Sequence, residues 1–306
     1  MSDPHDHSVV SPLETSDSAK RHPLPDQRVV SPDEISARAA PSKDRQRREQ
    51  APERPRIRCL VTNDDGIDSE GLRILALVAV EAGLEVVVAS PLENCSGASS
   101  SITAVDVDGR FVSERRSLAG LEACDTYAVD GLPAFIALTG ARGAFGPPPD
   151  LLLSGINYGP NAGHAILHSG TVGAALTAST HALRAMAVSI GSGNPPHWDT
   201  AADVARKVLP WLVNAPAGTV LNVNVPNVPL GKVRGVRKAG LASFGAVQTN
   251  VAERGEGYVQ ISMSEIEALH EPGTDAALMA AGYATVTALR AICEAGDVEL
   301  PAFPEG

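Results

Sequence analysis

The sequence has few aromatic residues, no long apolar run and no closely paired cysteines. Aromatic residues make up 4% of the 306 residues and hydrophobic residues 43%, so a core must consist mainly of Ala, Val, Leu and Ile. This composition is typical of α/β proteins. No apolar stretch reaches the roughly 18 residues that a membrane-spanning helix needs, and the polar, acidic N-terminus does not resemble a secretory signal. We therefore expect a soluble, cytoplasmic protein that does not bind membranes.

Several functional motifs are also missing. The four cysteines lack the short spacings of a zinc site, so reduced thiols are expected. There is no GxxxxGK[ST] phosphate loop, which excludes kinases and NTPases of that type, and no GxSxG nucleophile elbow. A net charge of −11 argues against binding long nucleic acid. A small anion could still bind where a metal ion and backbone dipoles overcome that negative field.

Residues 1–56 differ in composition from the rest of the chain. They contain 8 of the 23 prolines, no aromatic residue, and 10 acidic and 10 basic side chains. Such a segment cannot bury enough apolar surface to offset the entropy of ordering it. We interpret residues 1–56 as a disordered tail, whose deletion should leave activity largely unchanged, and residues 57–306 as the folded domain.

From Ile57 onwards, short apolar runs alternate with segments of helical spacing. The continuous apolar run Leu84–Ala89 is typical of a parallel strand that is covered on both faces. The alternation predicts βαβ crossovers and a Rossmann-like parallel sheet with helices on both faces. We expect strands at 57–62, 84–89, 127–129, 151–154, 185–190, 220–225 and 282–289, and helices at 71–82, 133–139, 171–183 and 200–213. Residues 233–263 are interpreted as a protruding β-hairpin that packs on a partner subunit.

Four polar segments follow predicted strands or open a helix soon after one. Ligands of an open parallel sheet bind outside the carboxyl ends of its strands. We therefore expect the four segments to converge on one site. They are 62–66, 90–99, 154–163 and 169–172.

The first segment contains two adjacent carboxylates, Asp64 and Asp65. Like charges held together raise each other's pKa unless a cation neutralises them, and a hard divalent ion such as Mg²⁺ or Mn²⁺ is the natural partner. Asp-Gly is also a common turn dipeptide, so the pair alone would be better explained as a turn. The companion loops favour a metal site because they offer neutral oxygens at Ser96 and Asn157.

An anion site is indicated by the glycine- and asparagine-rich segment 154–163 and by the helix start at Ser169. Glycines let backbone N–H groups approach an anion closely, and the N–H groups and dipole of a helix N-terminus attract negative charge. Ser169 alone could equally be an ordinary N-cap. His164 and His168 lie four residues apart, but without an HExxH pattern or a third ligand they do not favour a zinc site.

The order and spacing of these motifs resemble the SurE family, a family of 5′/3′-nucleotidases. The resemblance covers about residues 57–290. It is carried by Asn63-Asp64-Asp65-Gly66, by Asn94 with Ser96-Gly97-Ala98-Ser99, by Ser154-Gly155-Ile156-Asn157 with Gly159 and Asn161, and by Ser169-Gly170-Thr171-Val172.

The resemblance implies a Rossmann-like body, metal-dependent hydrolysis of nucleoside monophosphates, and homodimers or homotetramers built through the C-terminal β-extension. By motif position, it implies one divalent cation per subunit, Mg²⁺ or Mn²⁺, and Asp64 and Asp65 as catalytic residues. The implied metal ligands are Asp64, Asp65, Ser96 and Asn157. The implied substrate- and phosphate-binding residues are Asn63, Gly97, Asn161, Ser169, Gly170 and Thr171.

Three blocks depart from the usual family pattern. Thr177-Ala178 replaces Glu-Gly, and Ala182-Leu183-Arg184 replaces Gly-x-Pro. The usual Gly-Thr-Pro-Ala-Asp-Cys reads Gly131-Leu132-Pro133-Ala134-Phe135-Ile136. Two alternatives to a nucleotidase therefore stay open: a diverged, non-catalytic metal- or nucleotide-binding protein, and a broader phosphatase or short-chain polyphosphatase.

Overall fold

The computed structural model describes residues 56–103, 110–243, 247–255, 258–265, 271–299 and 301. Apart from Arg56, the predicted tail lies outside these residues, and so its disorder stays a prediction. Among the helices of the described ranges, none combines the length and apolarity needed to cross a membrane.

A nine-stranded sheet forms the centre of the domain, in the order β3-β4-β2-β1-β5-β6-β7-β11-β8. The six strands from β4 to β7 in this order run parallel to one another. β3 and β11 are antiparallel to their inner neighbours. The predicted Rossmann-like parallel sheet is thus confirmed in a mixed form. The strands are β1 (Arg58–Thr62), β2 (Glu85–Pro91), β3 (Ser113–Arg115), β4 (Asp125–Val129), β5 (Leu151–Tyr158), β6 (Arg184–Ile190), β7 (Val220–Val225), β8 (Val236–Lys238) and β11 (Ala284–Leu289).

Helices cover both faces of the sheet, as the alternation predicted. The helices are α1 (Glu70–Glu81), α2 (Pro133–Ala141), α3 (Gly170–Ser179), α4 (Trp198–Val213) and α5 (Asp275–Ala280). α1 packs with α4, and α2 packs with α3, so each pair buries its apolar side chains in a separate core cluster. α3 ends before the predicted residue 183 because the chain turns at Ala182, whose φ is +63°.

The region after β7 differs in part from the predicted hairpin 233–263. Its first part adds β8 to the main sheet beside β11. Only β9 (Val247–Gly255) and β10 (Tyr258–Glu265) form a hairpin, as a separate two-stranded antiparallel sheet. Whether the hairpin contacts a partner subunit stays a prediction.

Candidate metal and phosphate site

The carboxyl ends of β2, β1 and β5 are neighbours in the sheet, and the loops that follow them meet at Asp64 and Asp65. The backbone N–H of Cys95 donates to the carbonyl oxygen of Asp64 at 2.7 Å. The side-chain amide of Asn94 and the backbone N–H of Tyr158 approach opposite oxygens of the Asp65 carboxylate, each at 3.4 Å. The expected convergence of the strand-end loops therefore occurs around the aspartate pair.

The N-terminus of α3 faces Asp64, whose side chain is buried at 3% exposure. The Thr171 hydroxyl donates to Asp64 Oδ1. Burial raises the pKa of Asp64, while hydrogen bonds from Thr171 and from the backbone of Gly170 act in the opposite direction. A Cβ atom at position 170 would lie 2.8 Å from Asp64 Oδ2, so this close approach requires glycine. The fourth segment is thereby joined to the first.

Asp65 receives weaker hydrogen bonds than Asp64 within the described residues. Its two hydrogen bonds within the described residues are both long, at 3.4 Å. Burial, and next the charge of Asp64, raise the pKa of Asp65 to about 6. Two crowded carboxylates with raised pKa values form a site that a cation would stabilise.

The neutral oxygens near the pair fit the donor set of a hard divalent ion. Both the N–H and the hydroxyl of Ser96 donate to Asn94 Oδ1, at 2.9 and 2.7 Å, which leaves the lone pairs of Ser96 Oγ as acceptors. The Asn157 amide donates to the Gly159 carbonyl at 2.7 Å, which leaves Asn157 Oδ1 as an acceptor. Oxygen donors of this kind suit Mg²⁺ and Mn²⁺.

No group of three or more His, Cys, Asp or Glu side chains within the described residues could hold a metal ion. Neither His164 nor His168 therefore belongs to such a cluster. A metal ion at the aspartate pair would take its remaining ligands from neutral oxygens, such as those of Ser96 and Asn157, and from water.

Several residues predicted to bind substrate also form hydrogen bonds that stabilise the loops around the site. Ser169 Oγ accepts a hydrogen bond from the Val172 N–H at 3.1 Å, so Ser169 is the N-cap of α3. The Asn63 amide donates to the Gly66 carbonyl at 3.1 Å and its Oδ1 accepts from Ser90, which braces the loop after β1. Substrate binding by these residues stays a prediction, as it does for Gly97, which lies exposed in the loop after β2.

Asn161 is fixed by two asparagines whose role the sequence analysis did not identify. The Asn161 carbonyl accepts hydrogen bonds from the amides of Asn222 and Asn224, both at 2.8 Å. Its N–H donates to Asn224 Oδ1 at 2.9 Å, and its side-chain amide to Ser189 at 2.8 Å. The available signal was the pair of asparagines within the otherwise apolar strand β7, because buried amides require partners.

A third aspartate, Asp275, holds the segment that follows Asn161. This fully buried carboxylate accepts the backbone N–H groups of Gly163 at 2.9 Å, Ala242 at 3.0 Å and Ala276 at 2.8 Å. It joins the loop after β5 to the chain after β8 and to the start of α5. From sequence alone, an acidic residue in the first turn of a helix would be explained by the helix dipole.

The family model described as Survival protein SurE matches residues 59–247. A protein named 5′/3′-nucleotidase SurE from Edwardsiella ictaluri is 36% identical over 239 residues, which span 76% of this chain and 90% of the relative. One named 5′-nucleotidase SurE from Stenotrophomonas maltophilia is 36% identical over 243 residues, with the same coverage. The crystal structure of a SurE protein from Aquifex aeolicus superposes with a TM-score of 0.65 at 28% identity, covering 78% of this chain and 95% of that one.

Proposed function

Because the chain belongs to the SurE family, we propose that it hydrolyses nucleoside monophosphates to nucleosides and phosphate with the help of one divalent cation. The names of its relatives support the nucleotidase reaction. The observation that carries the proposal is the crowded pair of Asp64 and Asp65 at the N-terminus of α3.

The cation, Mg²⁺ or Mn²⁺, would be held by Asp64, Asp65, Ser96 and Asn157. When bound, it would supply polarisation of a phosphoryl oxygen and a lowered pKa of bound water. The support for this set is chemical: Asp64 and Asp65 have raised pKa values, and Ser96 and Asn157, which adjoin residues that contact the pair, each have an acceptor oxygen available.

The chain's own residues would bind and orient the phosphate. The N-terminus of α3 would contribute its helix dipole to an anion site, while its Gly170 and Thr171 donors hold the Asp64 carboxylate in place. Asn161, fixed by Asn222 and Asn224, would present its side chain to the phosphate. Asp65 is the less buried carboxylate and would orient the attacking water by accepting its hydrogen bond.

Phosphate release tests this function directly. The purified protein is incubated with Mn²⁺ or Mg²⁺ and a panel of 5′- and 3′-nucleoside monophosphates, ribose 5-phosphate and short-chain polyphosphate. We expect release from nucleoside monophosphates and its loss in excess EDTA. Full activity in EDTA would contradict the metal requirement. Release that is greatest from polyphosphate or sugar phosphate would indicate a broader phosphatase, and no release from any substrate a non-catalytic binding protein.

The same proposal includes a homodimer or homotetramer that uses the β9–β10 hairpin. A two-stranded sheet alone is at best marginally stable in water, which favours a partner surface for it. Sedimentation of the full chain and of a variant lacking residues 247–265 tests this. A hairpin-deleted protein that keeps the oligomeric state of the full chain would contradict it.

A further inference from the structure

A cavity of about 530 Å³ opens beside the aspartate pair, between the loop after β2 and the turn from β4 into α2. The two walls are joined where the Leu92 N–H donates to the Val129 carbonyl at 3.0 Å. Pockets of about 300–1,000 Å³ are typical of small-molecule sites. The cavity is therefore large enough for a group the size of a nucleoside.

One end of the cavity is continuous with the candidate metal site. Asn94 and Cys95 line the cavity, and both also contact the aspartate pair. The Asn94 amide lies 3.4 Å from Asp65 Oδ1, and the Cys95 N–H donates to the Asp64 carbonyl at 2.7 Å. A molecule with its phosphate at the metal site would extend its remaining part into this cavity.

The lining combines an apolar wall with two carboxylates. Val129 is buried, and Leu92 and Leu132 are half-buried. Exposed Glu93 and half-buried Asp130 also line the cavity.

This chemistry matches a nucleobase better than a second phosphate. A base has apolar faces, which can lie against leucine and valine, and an edge with N–H donors, which carboxylates accept. A phosphate would be repelled by Glu93 and Asp130. In this chain Leu132 also stands where the family pattern usually has threonine, which makes the wall more apolar.

We propose that this cavity binds the nucleoside part of the substrate, with the base against Leu92, Val129 and Leu132 and its N–H donors directed at Glu93 and Asp130. The inference rests on the proposed nucleotidase function and adds the position of the base to it. Bases that carry an amino group are expected to bind better than uracil.

Leu132 offers a substitution that changes the wall without unfolding the protein. It is the N-cap residue of α2 and forms no side-chain cap, whereas serine is a preferred N-cap residue. We expect Leu132→Ser to raise the KM for guanosine and adenosine monophosphates about 5- to 10-fold through lost apolar contact, with ribose 5-phosphate hydrolysis unchanged. Leu230→Ser, at an exposed leucine outside the cavity, is the matched control and should change neither.

Alkylation of Cys95 measures occupancy of the cavity without any turnover. The protein is treated with a maleimide in EDTA, and modification is mapped by mass spectrometry with exposed Cys293 as the internal reference. We expect guanosine and adenosine to slow alkylation of Cys95 severalfold and to leave alkylation of Cys293 unchanged. Ribose and inorganic phosphate should leave the alkylation rates of both cysteines unchanged. Leu132→Ser should weaken this protection.

The outcomes separate the two proposals. If the protein releases no phosphate from nucleoside monophosphates while nucleosides still protect Cys95, the proposed function fails and the cavity remains a nucleoside site. If it hydrolyses nucleotides but nucleosides do not protect Cys95, the inference about the cavity is wrong. Equal effects of Leu132→Ser on nucleotides and on ribose 5-phosphate would also overturn it.

Discussion

Two buried carboxylate regions of this protein are close in chemistry but opposite in how they are satisfied. Asp275 is fully buried and accepts three backbone N–H groups at 2.8 to 3.0 Å. Asp64 and Asp65 lie side by side, and Asp65 has only 3.4 Å contacts within the described residues. Their pKa values are raised by burial, and that of Asp65 also by its neighbour's charge.

The difference separates a structural carboxylate from the pair proposed to bind the metal. A buried carboxylate with enough donors stabilises the chain segments that provide them. A pair of adjacent carboxylates, one of which has only long hydrogen bonds, destabilises the fold unless something else supplies positive charge. The Asp275 region is therefore complete within this chain, and the aspartate pair is suited to bind a cation.

The largest expected effect is on catalysis at the crowded pair. Asp64→Asn should lower kcat/KM for nucleoside monophosphates by about 10³-fold or more, because a metal ligand and its charge are lost. The thermal midpoint should stay within a few degrees, since an asparagine oxygen can still accept the Thr171 hydroxyl. Phosphate release and thermal denaturation measure the two quantities. Wild-type activity in this variant would remove Asp64 from the metal site.

The next largest effect is on stability at the satisfied carboxylate. Asp275→Ala should lower the free energy of unfolding by about 3 kcal/mol, because it leaves the backbone N–H groups of buried Gly163 and Ala242 and of half-buried Ala276 without this acceptor. Urea denaturation measures it, with and without saturating Mn²⁺. Asp275→Asn, which keeps one acceptor oxygen, should lower the free energy of unfolding by less than Asp275→Ala. A loss of unfolding free energy that appears only with Mn²⁺ present would place Asp275 at the metal site, and Asp275 would then not be a purely structural carboxylate.

A smaller effect is expected where the helix approaches the aspartate pair. Gly170→Ala should lower the free energy of unfolding by about 1–3 kcal/mol, because the added Cβ would lie 2.8 Å from Asp64 Oδ2. It should also lower the affinity for Mn²⁺ in a metal titration by displacing Asp64. Gly231→Ala is the matched control, since a Cβ there meets nothing within 4 Å. Equal free energies of unfolding and equal Mn²⁺ affinities in the two variants would show that α3 can move away from Asp64 without loss of stability.

The smallest effect is a pH dependence in the absence of metal. The pKa of Asp65 is about 6 in the folded protein, against an ordinary value of 3.8. The folded state therefore holds its proton more tightly, so this contribution to stability is present at low pH and is lost as pH rises through about 6. In EDTA, the thermal midpoint of wild type should fall relative to Asp65→Asn between about pH 4 and pH 6. Curves of thermal midpoint against pH that run parallel for the two proteins would contradict a raised pKa of Asp65. Adding Mn²⁺ at neutral pH should restore the thermal midpoint of wild type.

Much of the architecture was predictable from sequence because its signals are local. Continuous apolar runs such as the one in β2 are recognisable without knowledge of their neighbours, and all seven predicted strands and all four predicted helices overlap observed elements. The edge strand β3 has no such signal, since its three residues are polar and exposed. The part of the predicted hairpin that became β8 is equally short and exposed.

What the sequence by itself determined is the fold class, the positions of the strand-end loops and the presence of two adjacent carboxylates at one of them. Only the tertiary structure decided which groups surround those carboxylates and which aspartate is structural. Thr171 reaches Asp64 across 107 positions, and Gly163 reaches Asp275 across 112. Apolar periodicity reports burial residue by residue, whereas hydrogen-bond partners so distant in sequence are set by strand order and helix packing. The raised pKa of Asp65 and the cavity beside it follow from that packing.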